Sequence, residues 1–273
     1  MVKKKKSVSK KSSKRKVAKR KSVSSKKVKS VSSNVPVKKS GKLVRVKTGV
    51  PKLDPLIQGG LKENSINLVV GDAGSGKTIF AMHFLMQGLK EGESCLYITF
   101  EEKKEKLYED MSSFKWDFGK FEEQKKFFYL EYSPEQVKSL IEEGGGTVDQ
   151  LISKRKITRL VIDSATSFSL LYQDELTRKE AGLALFKLIN KLGCTAVLTS
   201  QGTFKDGRLQ ATSMEFEADS IMLLYHIRQN GLRQRAIEVL KMRGTKHTNK
   251  SMSFTIDSSG LRISPGKLFR LNL

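Results

Sequence analysis

The chain has 273 residues, a length that allows one large domain or two small ones with a sizeable core. Its 52 lysines and arginines against 28 acidic residues give a formal charge of +24, and 17 of those bases lie in the first 40 residues, which contain no acid. The sequence therefore predicts a near-neutral body with a cationic tail. No apolar run is long enough for a membrane span or a secretory signal, which argues against membrane insertion and export.

Residues 1–41 consist mainly of lysine, arginine, serine and valine and have no periodic apolar face. Such a segment repels itself and buries too little apolar surface to offset the entropy of ordering, so we predict a disordered tail followed by one domain over residues 42–273. The only cysteines, Cys95 and Cys194, lie in apolar runs. This argues against a disulfide framework and favours a reducing, cytoplasmic environment.

Short β-branched runs alternate with helical periods after residue 42, which predicts an α/β domain with a mostly parallel sheet flanked by helices. The predicted strands are Ile66–Gly71, Cys95–Phe100, Lys125–Tyr132, Arg159–Asp163 and Cys194–Ser200. The predicted helices cover residues 78–90, 102–113, 134–153 and 175–192. From Asp219 onward, four alternating segments predict β-hairpins that extend the sheet at its C-terminal edge.

The segment GDAGSGKT has the phosphate-loop pattern. Its glycines allow backbone N–H groups to turn toward a nucleotide's phosphates at a helix N-terminus, while Lys77 reaches the β and γ phosphates and Thr78 holds Mg²⁺. A plain glycine turn is the alternative, but the loop follows a predicted strand and opens a predicted helix. The residues expected to contact the nucleotide are Gly71, Asp72, Ala73, Gly74, Ser75, Gly76, Lys77, Thr78 and Ile79.

Asp163 ends the predicted strand RLVID. After a phosphate loop, an acid at that position is expected beside the metal at the carboxyl edge of the sheet, although a turn or a helix cap is the alternative for such a residue. The next residue is Ser164, so no adjacent acid is available to activate water. The base must be sought elsewhere.

Glu101 and Glu102 follow the strand CLYITF and are the candidates for that base. We expect this strand to lie next to the phosphate-loop strand, so that both carboxylates point into the same crevice. A solvated first helical turn is the alternative, above all for Glu102. Ser200 and Gln201 end the strand CTAVLTS and fit equally a γ-phosphate sensor and a polar strand end.

Six segments in order resemble a known family: GVPKLDPLIQGGLKENSINLVVGDAGSGKT, YITFEE, FKWDF, RLVIDSAT, EFEADSIMLLYHIR and VLKMRGTKH. They are similar to KaiC-type domains, a branch of the RecA-like P-loop ATPases that is common as single-domain proteins in archaea. The resemblance runs from about Lys42 to Leu268. It implies a RecA-like fold, ATP with Mg²⁺, and a homo-oligomer, a hexameric ring or a filament, with ATP at subunit interfaces.

The resemblance also implies roles for individual residues. Glu101 and Glu102 match the family's catalytic glutamates, and Ser113 lies where the nucleotide's base is held. The positions matching the segment that reaches the ATP of a neighbouring subunit are Lys241, Met242, Arg243, Thr245 and His247. Asp257 and Ser258 match a further nucleotide-contacting position.

Two features depart from the clock members of this family. Clock KaiC proteins have two such domains in tandem and a phosphorylated C-terminal segment, whereas this sequence has one domain and stops at Leu273, so a clock role is not expected. The cationic tail is not part of the family's domain. By charge it is expected to bind nucleic acid without sequence preference, the alternatives being a solubilising tail or one that contacts anionic lipid.

Three functions fit the sequence. The first is an oligomeric, Mg-ATP-driven molecular switch or motor that hydrolyses ATP slowly, with an unknown client. The second is a RadA-type accessory ATPase of recombination or repair, and the third is a nucleotide-gated signalling or scaffold protein with little turnover. The intact set of Lys77, Thr78, Glu101 and Asp163 favours turnover.

Overall fold

The computed structural model describes residues 43–202, 204–205, 208–209, 217–229 and 231–269. The predicted tail, residues 1–41, lies outside this range. Within the described part of the chain, no helix is both long and apolar enough to cross a lipid bilayer.

The strands are β1 (Arg45–Val46), β2 (Leu61–Lys62), β3 (Ile66–Gly71), β4 (Ser94–Thr99), β5 (Phe127–Glu131), β6 (Ile157–Asp163), β7 (Thr195–Gln201), β8 (Phe204–Lys205), β9 (Arg208–Leu209), β10 (Ser220–Gln229), β11 (Leu232–Met242), β12 (Met252–Asp257) and β13 (Gly260–Leu268). The α-helices are α1 (Lys77–Lys90), α2 (Lys104–Ser112), α3 (Phe118–Glu123), α4 (Pro134–Glu142), α5 (Gly146–Arg155), α6 (Ala165–Ser169) and α7 (Glu175–Leu192). One 3₁₀ helix covers Asp54–Ile57.

A nine-stranded sheet forms the centre of the fold, in the order β13-β12-β11-β10-β3-β7-β6-β4-β5. The strands from β10 to β5 are parallel to one another, and β11, β12 and β13 continue the sheet as antiparallel hairpins. This arrangement confirms the predicted α/β class and the C-terminal hairpins. Strands β3 and β4 are buried at every position because helices cover both faces of the sheet.

The expected neighbour of the phosphate-loop strand was wrong. β3 pairs with β10 and β7, whereas β4 pairs with β6 and β5, so two strands separate β3 from β4. Strands that follow one another in sequence are often, but not always, neighbours in a sheet. Here β4 is placed two positions away from β3, and the later strands β6 and β7 occupy the positions between them. All these strands are parallel, so their carboxyl ends still lie at one edge.

The helix predicted over residues 134–153 is two helices, α4 and α5. The break comes at a run of glycines, where Gly145 has φ +108°, a conformation that other residues rarely adopt. Helix α2 begins at Lys104, so neither Glu101 nor Glu102 lies in its first turn. The two glutamates belong to the loop that leaves β4.

The fully buried side chain of Arg159 connects several segments at the amino edge of the sheet. Its guanidinium contacts the carboxylates of Glu91 at 3.0 Å and Glu93 at 2.7 Å, and it also donates to the carbonyls of Lys47 and Phe84. Burial raises the pKa of Glu93, but hydrogen bonds from Arg159 and from Thr158 outweigh burial and hold that pKa below its usual range. The network therefore keeps a buried cation fully paired.

Because the guanidinium is buried and fully paired, Arg159→Met is expected to lower the free energy of unfolding by about 3–5 kcal/mol. The matched control is Lys47→Met, which removes an exposed ion pair with Glu91 and is expected to cost about 0–1 kcal/mol. Urea denaturation of the two variants measures the difference. Equal stability losses would mean that the buried network contributes no more than a surface contact.

Candidate nucleotide site

The phosphate loop connects β3 to α1 at the carboxyl edge of the sheet. Gly76 caps the helix with φ +100°, and a side chain there would also approach Ile256 within 3.1 Å. The Lys77 ammonium donates to the carbonyls of Gly71 at 2.9 Å and Asp72 at 3.0 Å. Burial lowers the pKa of Lys77, while the carboxylates of Asp163, Asp72 and Glu101 oppose that shift. The ammonium thus lies across the concave side of a glycine-rich loop at a helix N-terminus.

Asp163 accepts three hydroxyl hydrogen bonds at the end of β6. Its donors are Thr78 at 2.7 Å and Tyr97 at 3.0 Å on one carboxylate oxygen, and Thr199 at 2.5 Å on the other. The pair of Thr78 and Asp163 is an oxygen-donor set of the kind that Mg²⁺ uses beside nucleotide phosphates. The residues therefore fit the metal that the motif predicts.

The two glutamates share a cleft of about 340 Å³ with Thr78 and Asp163. The Ser167 hydroxyl on α6 donates to Oε1 of Glu101. Burial raises the pKa of Glu102, and the charges of Asp163 and Asp110 raise it further. This concentration of carboxylates favours a bound cation. The catalytic role of either glutamate stays a prediction.

Gln201 ends β7 directly beside the phosphate loop, because it pairs with Gly71 in the sheet. Its side chain is exposed, and its backbone N–H donates to the Thr166 hydroxyl at 2.7 Å. Ser200 is buried, with its hydroxyl 3.3 Å from that of Thr166. Only Gln201 therefore presents its side chain to solvent at this strand end.

The residue expected beside the nucleotide's base and the further nucleotide-contacting position lie on two segments that approach Trp116. Ser113 is exposed at the end of α2, three residues before this tryptophan. Asp257 ends β12 and Ser258 begins the turn to β13, and a side chain at Gly260 in the same hairpin would lie 2.8 Å from the Trp116 ring. The fold brings the two segments to one side of the phosphate loop.

The segment expected to reach a neighbour's ATP lies at the opposite edge of the sheet. The backbone N–H of Arg243 donates to Asp219, whose own N–H donates to Ile66, so Arg243 is level with the start of β3. Gly71 comes five residues after Ile66 along the strand, a distance of about 17 Å. Lys241 is level with Leu68, three residues from the loop. Neither Lys241 nor Arg243 therefore lies at the carboxyl edge, where the phosphate loop of the same chain is found.

The rest of that segment is attached to the beginning of the domain. Arg45 donates to the Thr245 hydroxyl at 2.9 Å, and Thr248 donates from its backbone to Leu56. His247 is half-buried, with Nδ1 2.9 Å from the carbonyl of Thr248. Met242 is buried as the last residue of β11. The segment is thus a fixed surface rather than a free loop.

Sequence reasoning missed four side chains of the site: Tyr97, Ser167, Thr199 and Arg235. Tyr97 and Thr199 stand inside apolar strands, where the only signal is a hydroxyl two positions from a strand end. Arg235 donates to the carbonyl of Gly74 from Nε and Nη2, both at 3.2 Å. It lies more than 150 residues from the loop in sequence, so no local pattern could reveal the contact.

Comparisons with known proteins identify the family that this chain resembles. The family model described as "ATPase: KaiC" matches residues 46–267. The circadian clock protein KaiC3 of Synechocystis is 31% identical over 230 residues, which cover 81% of this chain and 46% of that protein. This chain therefore spans about half the length of the clock proteins that it matches.

Shorter relatives match over nearly their whole length. A UPF0273 protein of Pyrococcus furiosus is 31% identical over 239 residues, covering 83% of this chain and 96% of that protein. A solved KaiC-like protein from Pyrococcus horikoshii has a TM-score of 0.73 and 31% identity, and the match covers 82% of this chain and 100% of that one. With a family model over most of its length and a common fold, this chain belongs to the KaiC family of ATPases.

Proposed function

We propose that this protein binds Mg-ATP in the cleft at the carboxyl edge of the sheet and hydrolyses it slowly as an oligomeric molecular switch or motor. The observation that carries the proposal is the grouping of Thr78, Asp163 and Glu101 around one cleft, with Lys77 in the adjoining loop, close enough for the charges of Asp163 and Glu101 to act on it. These residues supply a phosphate-binding cation, a metal-binding oxygen pair and a carboxylate base, the parts that phosphoryl transfer to water requires.

In this proposal the loop from Gly71 to Ile79 binds the phosphates, and Thr78 with Asp163 holds Mg²⁺, which neutralises charge on the phosphate oxygens when bound. The three hydroxyl donors on Asp163 orient its carboxylate. Ser113 contacts the base, and Asp257 and Ser258 contact the nucleotide at a further position. Gln201, exposed beside Gly71, senses the γ-phosphate.

Glu101 is the proposed base that accepts a proton from the attacking water. Its carboxylate is held by the Ser167 hydroxyl, which leaves Oε2 for the water. Glu102 lies in the same cleft and adds negative charge that attracts the metal. Among the described carboxylates of the cleft, Glu101 is thus oriented by a hydrogen bond from Ser167 and also matches a catalytic glutamate of the family by resemblance.

A neighbouring copy of the chain completes the site in this proposal. Arg243 is level with the end of β3 that lies opposite the phosphate loop, and Lys241 is level with Leu68, three residues from that loop. In this proposal both cations approach the γ-phosphate bound by another subunit. Met242, Thr245 and His247 belong to the same surface. A ring, hexameric in the family's pattern, or a filament places this edge of one subunit on the carboxyl edge of the next.

The direct test measures ATP hydrolysis and particle mass together, with and without single-stranded and duplex DNA. We expect ATP to promote assembly and hydrolysis to accompany it. Binding of ATP without measurable hydrolysis in an assembled sample would instead support a nucleotide-gated scaffold.

The tail is proposed to provide most of any nucleic-acid affinity, because residues 1–40 hold 17 lysines and arginines and no acid. This charge is also what favours the second candidate, an accessory ATPase of recombination or repair. A variant that starts at Gly41 is expected to bind ATP normally. If the tail engages 6–10 phosphates, the full chain should lose roughly 10³–10⁵ in DNA affinity between 50 and 200 mM salt. Equal DNA affinity of the two proteins at the same salt would refute this role.

A further inference from the structure

The hairpin formed by β10 and β11 extends beyond the carboxyl ends of the neighbouring parallel strands β3 and β7. Leu224 pairs with Gly71, the last residue of β3, and β10 continues for five more residues to Gln229 before β11 returns from Leu232. The projecting end is at the carboxyl edge, next to the phosphate loop. It is therefore close to the nucleotide site.

The register of this hairpin places its basic residues on one face. His226 opposes Arg235, and Arg228 opposes Arg233. Directly opposed residues share a face, and these two pairs are on the same side of the ribbon as the pair of Leu224 and Ile237, which packs in the core beneath α1. We call His226, Arg228, Arg233 and Arg235 the basic hairpin face.

Cations that face each other across a hairpin repel, so this arrangement costs stability unless an anion offsets it. Arg228 and Arg233 are exposed, and no carboxylate among the described residues forms a salt bridge with any of the three arginines. Glu238 also lies on β11, but its carboxylate accepts from Tyr225 and Ser251 on the other side of the ribbon. The basic hairpin face thus carries unbalanced positive charge.

We propose that the basic hairpin face binds the phosphate backbone of a nucleic acid. Planar guanidinium groups match phosphate oxygens in pairs of hydrogen bonds, and a two-stranded ribbon can follow a nucleic-acid backbone. The first 40 residues carry charge of the same sign, which suits the same kind of partner.

One contact connects this surface to the nucleotide site. Arg235 donates from Nε and Nη2 to the carbonyl of Gly74 in the phosphate loop. A phosphate that draws Arg235 away from Gly74 changes the support of that loop, so ATP and nucleic acid affect each other's binding. The coupling is reciprocal, and Arg235→Ala is expected to remove it. This deepens the nucleic-acid part of the proposed function and does not require hydrolysis.

The test compares the full chain with the double variant Arg228→Ala/Arg233→Ala. The matched control is Lys154→Ala/Lys187→Ala, which removes the same charge from exposed positions on α5 and α7. Affinity for a labelled DNA duplex and a single strand is measured over a salt series, and ATP affinity and mass are measured in parallel. We expect the slope of log affinity against log salt to fall by about 2 in the hairpin variant, with no change in the control.

The outcomes separate this proposal from the others. DNA binding with the same slope in the hairpin variant and the control overturns the hairpin site and leaves the role of the tail intact. No DNA binding by the full chain overturns both nucleic-acid proposals, while ATP binding and assembly are judged by their own measurements. Loss of ATP-dependent assembly with an unchanged slope means that a second copy of the chain occupies this face, which also overturns the proposal.

Discussion

Lys77→Ala is expected to abolish nucleotide binding, whereas Glu101→Gln is expected to keep binding and lose hydrolysis. The lysine provides the positive charge within the phosphate loop, and its loss leaves the phosphates without their principal cation. The glutamine preserves the shape of Glu101 and can still accept a hydrogen bond from Ser167, but it cannot take a proton from water. We expect hydrolysis to fall by roughly 10²–10⁴-fold.

Nucleotide affinity measured by calorimetry, with turnover measured on the same samples, separates the two effects. Glu102→Gln is the matched comparison, since it removes a neighbouring carboxylate from the same cleft and is expected to lower turnover less than Glu101→Gln does. Wild-type turnover in Glu101→Gln would assign the base to Glu102 or to a chain of waters. Retained ATP affinity in Lys77→Ala would contradict the proposed phosphate site.

The parts of the fold that sequence could predict are those set by local periodicity and by turn chemistry. β3 was predicted with its exact bounds, because a buried parallel strand is a continuous apolar run that stops at the glycine loop. The helices α1 and α7 agree to within a residue. The break between α4 and α5 was missed, although three consecutive glycines, Gly144, Gly145 and Gly146, mark it in the sequence.

The order of strands was not predictable in the same way, because it depends on which strands pair after the chain has crossed the sheet. The predicted neighbour of β3 was wrong, but the predicted site residues still lie at one edge of the sheet. The reason is that parallel strands bring Thr99 and Asp163 to the same edge. The contacts of Tyr97, Thr199 and Arg235 required the packed structure. Each joins strands that lie far apart in the sequence, so no motif records it.

Arg243→Ala is expected to bind ATP and to hydrolyse it poorly. In the proposed oligomer Arg243 brings its charge to the γ-phosphate bound by the neighbouring subunit, and arginines in this role contribute roughly 10³–10⁵ in rate. Lys241, two residues earlier, has its pKa lowered by burial and by the charge of Arg243, while the carboxylates of Asp219 and Glu217 oppose that shift. Specific activity should rise with protein concentration until assembly is complete.

A mixture of two inactive variants gives the sharpest test of a shared site. Arg243→Ala keeps an intact Glu101, and Glu101→Gln keeps an intact Arg243, so some interfaces in a mixed oligomer pair one intact residue with the other. Activity is therefore expected to reappear on mixing, while each variant alone stays inactive. Arg243 is level with Ile66, about 17 Å along the sheet from Gly71, so we do not expect it to reach the phosphate loop of its own chain. A site contained within one chain could not be restored by mixing. Full activity in a dilute monomer, or no recovery in mixtures whose co-assembly is demonstrated by mass, would refute a site shared between subunits.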